Sequence, residues 1–503
     1  MDVSSLLDEL HLCTPPLGEN PLPSSPLPPI TSLLVHLQRH LIGGASDKHS
    51  LIGYVARLFQ KADAHWLFSP ASAEELWAEL EAAHISVVCA LIGCAALAPC
   101  DDNRGLPPPG DYRHVPALAT QVCSTLQALL GRLEEAGVGA REGLLLAMAP
   151  HVCVFAVTHF QEQAWSDFSS RRAAQSLQGA LLKAGSWTNS AHLLMGNVGL
   201  GKDGEGQTGG ILGGVLDVLQ PQLTKESWRH GEAAKLVFAW TLLQVTRPAL
   251  APHLPRLLPC ALLLSDHHAV ENCMLGVRCL HHILLHTPAC ELRQYNRGQV
   301  VYQALFKHLY TSEDDVIQRV LECMLDLLLV LEKPPSSAGT HRRKPSRHDD
   351  VLRLLLTHME GEHKVLLRRV YASVLPAYLN RMGVAVCRHL RRLERILIGY
   401  LEISDPPDET SRLKVLEALQ ITLAAAWPRF VCRVDMLLPC LLRLLVDVSR
   451  DPHLQEAARH QLTSQASRCV ALLHAAARRD LQQVDSMWEE LDCLTTVTMA
   501  TES

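Results

Sequence analysis

Rings and charge are both scarce in this chain. Aromatic residues make up 5% of it and charged residues 19%, against a usual charged share of about 25%. No run of β-branched residues alternates with polar ones over a useful length, and no Asn-Gly pair marks a hairpin, so a sheet has little to grow from. The longest apolar run, Ile85 to Ala98, is closed by Pro99 and falls short of the ~20 residues of a membrane span; it reads as a buried helix. The opening, MDVSSLLDELHLCTPP, lacks a basic segment leading into an apolar core, so no secretory signal is expected. Among 16 cysteines none forms a C-x-x-C pair. That points to free thiols packed as small hydrophobes in a reducing compartment, cytoplasm and nucleus. Neither sign of charge dominates: 46 basic against 52 acidic residues leave a formal −6. The balance gives no global case for nucleic acid or a membrane surface.

What is present is aliphatic. Hydrophobic residues reach 48%, and Leu, Ala and Val dominate, a diet that suits stacked helices. In Glu313–Glu332, Val316, Ile317, Val320, Leu321, Met324, Leu325, Leu328 and Leu331 recur at 3–4 residue spacing while Asp314, Asp315, Gln318, Arg319, Glu322 and Asp326 take the other face. This is one apolar stripe on one helix. Ser312 with Asp315 resembles a capping box, and Pro334-Pro335 end the element. From Pro406 to Ala426 a second helix is expected, capped by Asp405 and stopped by Trp427-Pro428. Leu254–Pro288 reads as helix, short turn at Ser265-Asp266, helix. Such pairs are the texture of HEAT repeats, and the fold class expected is all-α, HEAT-like helical repeats forming an α-solenoid.

Breaks in the pattern divide the chain. Proline at 14–30 forbids helix, giving a disordered lead-in over 1–30. A helical region follows over 31–195, a glycine-rich linker over 196–214, repeats over 215–335, a polar loop over 336–348, repeats again over 349–495 and a tail over 496–503.

Candidate chemistry is sparse. Gly196–Asp203 matches G-x-x-x-x-G-K but puts Asp203 where a phosphate loop needs the hydroxyl that holds magnesium; a linker explains it better than an NTPase. His282 and His286, with His281, and likewise His36 and His40, are spaced for one helix face but lack further ligands. No H-E-x-x-H or G-x-S-x-G occurs. The paired acids Asp101-Asp102, Asp314-Asp315 and Asp349-Asp350 sit at helix starts, where the dipole favours them. No catalytic residue, metal or cofactor is expected. Charge patterning says more. Residues 341–395 hold thirteen basic side chains against five acidic ones, and most are Arg, which suits bidentate contact. Two readings stand: a solvated helical face, or a docking stripe for an acidic protein surface and, less favoured, for nucleic acid. The contact residues expected are Arg368, Arg369, Arg381, Arg388, Arg391 and Arg392, with Trp427 as an anchor.

Longer stretches are familiar. KESWRHGEAAKLVFAWTLLQVTRP (Lys225–Pro248) resembles a hallmark stretch of the Tti-two family. So do ENCMLGVRCLHHILL (Glu271–Leu285), LRQYNRGQVVYQAL (Leu292–Leu305), LLTHMEGEHKVLLRRVYASVLPAYLNRMG (Leu355–Gly383), HLRRLERILIGYLE (His389–Glu402), RLKVLEAL (Arg412–Leu419), WPR (Trp427–Arg429) and DVSRDP (Asp447–Pro452). HVCVFAVTHFQEQAW (His151–Trp165) is similar too. The resemblance implies a non-catalytic helical scaffold of the Triple T complex, with Tel-two and Tti-one as partners. It implies phosphatidylinositol-3-kinase-related kinases (mTOR, ATM, ATR, the DNA-dependent kinase) as clients, and heat-shock protein 90 with its R-two-T-P adaptor as an indirect partner. Maturation of those kinases would support the DNA-damage response.

Overall fold

The computed structural model describes residues 29–43, 48–68, 74–97, 109–136, 138–196, 210–335 and 344–500. The lead-in before Pro29, the glycine tract 197–209 with the phosphate-loop look-alike, most of the polar loop with Arg342 and Arg343, and residues 501–503 lie outside them. Among the described residues the regular structure is helical, with no strand. The chain divides into two compact units, residues 1–263 and 264–503.

The first unit begins with α1 (Ile30–Ile42), α2 (Lys48–Lys61), α3 (Ala64–Phe68), α4 (Glu74–Cys94), α5 (Val115–Glu135) and α6 (Val138–Phe160). It continues through α7 (Phe168–Ala184), α8 (Ser190–Met195), α9 (Leu212–Leu219), α10 (Glu232–Gln244) and α11 (Leu254–Ser265), whose last residues, Leu264 and Ser265, belong to the second unit. The apolar spacing dictates the packing. In α1, Ile30, Leu33, Leu34, Leu37 and Leu41 fall on one face and are buried, against α4. Each such leucine stabilises by roughly 1.5–3 kcal/mol. α2 packs on α5, α5 on α7, and α6 on α4, α7, α9 and α10. Stretches Trp77–Cys94 of α4 and Glu142–Phe160 of α6 are long and apolar enough to cross a membrane. Here both pack against those neighbours, which bury 61% of the α6 stretch and 44% of the α4 stretch within the fold. α7 starts on a reciprocal cap: Ser170 N–H donates to Asp167 Oδ1 at 2.7 Å and Asp167 N–H to Ser170 Oγ at 2.9 Å. The thiols of Cys123 and Cys153 are buried, and burial pushes both up to about 12.

The second unit is a two-layer stack. Its elements are α12 (Val270–His286), α13 (Ala289–Arg293), α14 (Arg297–His308), α15 (Asp314–Leu331), α16 (Arg347–Gly361), α17 (Val365–Met382), α18 (Leu390–Leu401), α19 (Thr410–Phe430), α20 (Val434–Arg450) and α21 (Glu456–Ala500). α12, α15, α17, α19 and α21 pack in series, as do α16, α18 and α20. Rungs α14–α15, α16–α17, α18–α19 and α20–α21 join the layers. This is the HEAT-like helical-repeat architecture that the pattern of paired helices predicts. At one crossing the backbones nearly touch: a Cβ on Gly276 of α12 would lie 2.1 Å from Ser265 N. Between α15 and α17, the buried Tyr378 hydroxyl donates to Leu321 O at 2.7 Å.

Two local expectations fail. Ser312 and Asp315 form no capping box; the N-cap of α15 is Glu313 and makes no side-chain cap. A cap of that kind forms one helix later, where Ser346 N–H and Oγ–H donate to Asp349 Oδ2 at 2.8 and 2.9 Å. The helix expected from Pro406 starts at Thr410, because the Asp405 carboxylate is shared between the Ser411 N–H and Arg369 and Glu409 takes a left-handed turn at φ 52°. The break expected at Trp427-Pro428 is present: helical dihedrals are lost at Ala426 (φ −133°, ψ 29°), and a second short helical segment runs on to Phe430.

Candidate partner-binding face

The arginine stripe falls on α17, the 3₁₀ turn Gly383–Arg388 and α18. Most of its charge is committed within the unit. Arg369 Nε donates to Asp405 Oδ1 at 2.7 Å and its Nη2 to Pro406 O. Arg388 lies 3.5 Å from Asp349 Oδ2, whose other oxygen is 3.2 Å from His389 Nε2. Arg392 grips Glu360 at 2.6 Å, with Arg395 on the other oxygen at 3.0 Å. Arg381 approaches Asp326 at 3.9 Å, beside His281 at 2.9 Å. Arg368 stacks its guanidinium 3.9 Å above the Tyr400 ring. Arg391 is exposed. Trp427 is half-buried, with Arg479 5.9 Å over its ring.

These ties run from one helix to the next. Arg392 links α18 to α16, Arg369 links α17 to the turn before α19, Arg347 binds Glu332 at the end of α15 at 2.8 Å, and Arg433 pairs with Glu394 of α18. Three of the carboxylates, Asp326, Glu332 and Asp405, lie outside residues 341–395. Counting charge within that window therefore overstated the surface excess. The stripe acts first as a set of cross-repeat ties, and the cations it leaves exposed are few: Lys344, Lys364 and Arg391 among them.

The exposed face beside it is apolar, which the sequence reading missed. Val365, Leu366 and Ile403 are each more than half exposed. Val365, Arg368, Ile403 and Asp405 share a small pocket of about 110 Å³. A ladder of rings leads to this edge: Tyr302 and Phe306 at 5.5 Å, Phe306 and Tyr310 at 6.3 Å, Tyr310 and His358 at 5.9 Å, His358 and Tyr371 at 5.8 Å. Burial lowers His358 below its ordinary value and raises Tyr371 to about 12, so both are neutral at physiological pH. The one sequence signal was the four-residue spacing of Tyr302, Phe306 and Tyr310. His282 and His286 face each other, rings 4.3 Å apart, and among the described residues no three His, Cys, Asp or Glu side chains converge on a metal-sized position. An exposed apolar edge rimmed by lysine and arginine is suited to binding by surface burial.

The Tti2 family model matches residues 217–406. The human protein TELO2-interacting protein 2 is 46% identical over 361 residues, which span 71% of this chain and 70% of that protein. The chain belongs to the Tti2 family. The mouse TELO2-interacting protein 2 is 44% identical over 368 residues, 72% of this chain and 70% of its own. Within the Tti2 match lie α12 to α18, and so the ring ladder, Arg369 and the exposed Val365-Leu366 edge. Among solved structures, the karyopherin Kap121p bound to the C-terminus of Cdc14p aligns over 89% of this chain and 46% of that one, at 14% identity and a TM-score of 0.42. Importin beta aligns over 92% and 56%, at 12% identity and a TM-score of 0.41.

Proposed function

We propose that this Tti2-family chain is a non-catalytic scaffold subunit of a Triple T complex, holding Tel-two and Tti-one together as a co-chaperone adaptor for phosphatidylinositol-3-kinase-related kinases. The observation that carries the reading is the 46% identity over 361 residues to a protein named for its interaction with TELO2. In this reading the clients are mTOR, ATM, ATR and the DNA-dependent kinase, and heat-shock protein 90 with R-two-T-P joins indirectly, in cytoplasm and nucleus. The exposed apolar edge Val365-Leu366-Ile403, flanked by Lys364 in sequence and by Arg368 in the shared pocket, is the surface favoured for partner contact. A nucleic-acid role is not favoured, since the arginines that would contact phosphate hold carboxylates.

Affinity purification of the tagged chain at moderate salt, with nuclease present and stoichiometry by mass spectrometry, tests the reading. Tti-one and Tel-two are expected near one-to-one with substoichiometric giant kinases; soluble, folded chain that recovers neither overturns it. To map the contact, Leu366→Glu with Lys364→Glu is the informative variant. Charge reversal at Arg369 would instead break the fold, by leaving Asp405 buried beside a second carboxylate.

A further inference from the structure

The first unit carries a half-open cavity of about 470 Å³, within the range of small-molecule sites. Its principal wall is one face of α6, where His151, Phe155 and His159 stand at four-residue spacing. Tyr112 and Trp165 close it with rings that are themselves buried, 5.9 Å apart. Most polar groups of the wall are paired or lie exposed at its rim, as Gln222 does. Trp165 Nε1 already donates to Thr158 O at 3.0 Å. Glu232 at the rim is paired with Lys235 at 2.7 Å. His151 Nδ1 sits 3.5 Å from Cys89 Sγ.

His159 is the exception. It is 1% exposed, and its Nδ1 is sealed and has no hydrogen-bond partner. Burial pushes its pKa down to about 4, so the ring is neutral and carries one proton. A sealed N–H without a partner is costlier than a sealed lone pair. The proton therefore sits on Nε2, the ring nitrogen that is not sealed, and His159 offers the cavity a single donor.

We propose that this cavity is a binding site for an uncharged aromatic small molecule carrying one hydrogen-bond acceptor, its rings held against Phe155 and Trp165 and its acceptor receiving the His159 Nε2–H. A charged ligand is disfavoured, because among the described residues the one carboxylate at the rim, Glu232, is already neutralised by Lys235.

The test uses the full chain and equilibrium dialysis with benzophenone, and with diphenylmethane, which keeps both rings but lacks the oxygen. Benzophenone is expected to bind saturably at one site and about tenfold more tightly than diphenylmethane, the worth of one neutral hydrogen bond. Gly93→Leu is the blocking variant. A Cβ at Gly93 meets nothing within 4 Å, and Gly93 lines the cavity, so the variant folds, as a thermal melt will verify, and loses binding. His159→Phe keeps the ring and is expected to erase the preference for benzophenone. Should it fail to fold, His159→Gln, which retains a donor, is expected to keep part of the preference. The proposal is overturned if wild type shows no saturable binding, if binding survives Gly93→Leu, or if the benzophenone preference survives His159→Phe.

Discussion

The two units bury their polar groups by different means. In the second, charge is buried and paired: Asp405, Asp349 and Glu394 are each less than a tenth exposed and meet Arg369, Arg388 and Arg433 of other elements, while the buried Glu409 meets Arg412 of the helix it caps. In the first, the buried polar groups are mostly uncharged: His84, Thr125, His159, Gln178 and Thr241, with Lys235 the charged exception. Its ion pairs lie mainly at the surface, such as Lys183–Glu134 with the lysine 77% exposed. Paired charges fix which helix stands beside which, since a slip by one turn would strand a carboxylate. Neutral burial tolerates empty space. The second unit therefore has little freedom to accept change, and the first holds a cavity.

Glycine gives the sharpest break between them. Gly276→Val drives a side chain into the Ser265 backbone, 2.1 Å away, and is expected to cost more than about 4 kcal/mol. Gly93→Ala, in α4, meets nothing within 4 Å and is expected to raise stability by about 0.5–1 kcal/mol through helix propensity. Hydrogen exchange resolved by peptide would read both: loss of protection through α12 and α15 in the first variant, a small gain around α4 in the second. Equal effects would remove the contrast.

Acid should separate the units next. His84 and His159 lie near 6.5 when unfolded and are pushed down to about 4 by burial. A histidine with a depressed folded pKa contributes stability that is fully present above pH 6.5 and is lost as pH falls from 6.5 toward 4. At pH 5 the loss is about 2 kcal/mol for each, taking 1.36 kcal/mol per unit. In the second unit burial also lowers His308 and His358, but less far than His84 and His159, so its loss over the same range is smaller. Exchange at pH 5 against pH 7, corrected for the intrinsic rate, should show α4 to α7 opening before α15 to α19. His84→Phe should remove about half of the difference.

Much of this was legible in the sequence, and the failures share a cause. The stripe Val316, Ile317, Val320, Leu321, Met324, Leu328 is buried as its spacing predicts, because helix periodicity is a local property. Asp405 looked like a cap, yet its partner Arg369 is 36 residues away. The arginines looked like a free surface because Asp326, Glu332 and Asp405 fell outside the stretch counted. His159 stood in a family-like block with nothing to distinguish it, since a missing hydrogen bond is a property of the packed neighbourhood. Local pattern gave the helices; pairing across helices decided the site.

Deleting one cation from each unit isolates that pairing. Arg369→Ala leaves Asp405, 6% exposed, with only the Ser411 N–H on its carboxylate. Removing one partner of a buried pair costs about 3–5 kcal/mol; since Arg369 is itself 27% exposed, water screens part of the pair and about 3 kcal/mol is expected. Lys183→Ala, at an exposed pair of similar length, 2.8 Å, should cost about 0.5 kcal/mol or less. Urea melts of the two variants measure both values. Adding Asp405→Asn to Arg369→Ala removes the stranded charge and should recover part of the loss, whereas Glu134→Gln added to Lys183→Ala should change nothing. If the two single variants cost the same, the ties across the second unit are ordinary surface pairs, and the arginine stripe becomes available again as a partner-binding surface.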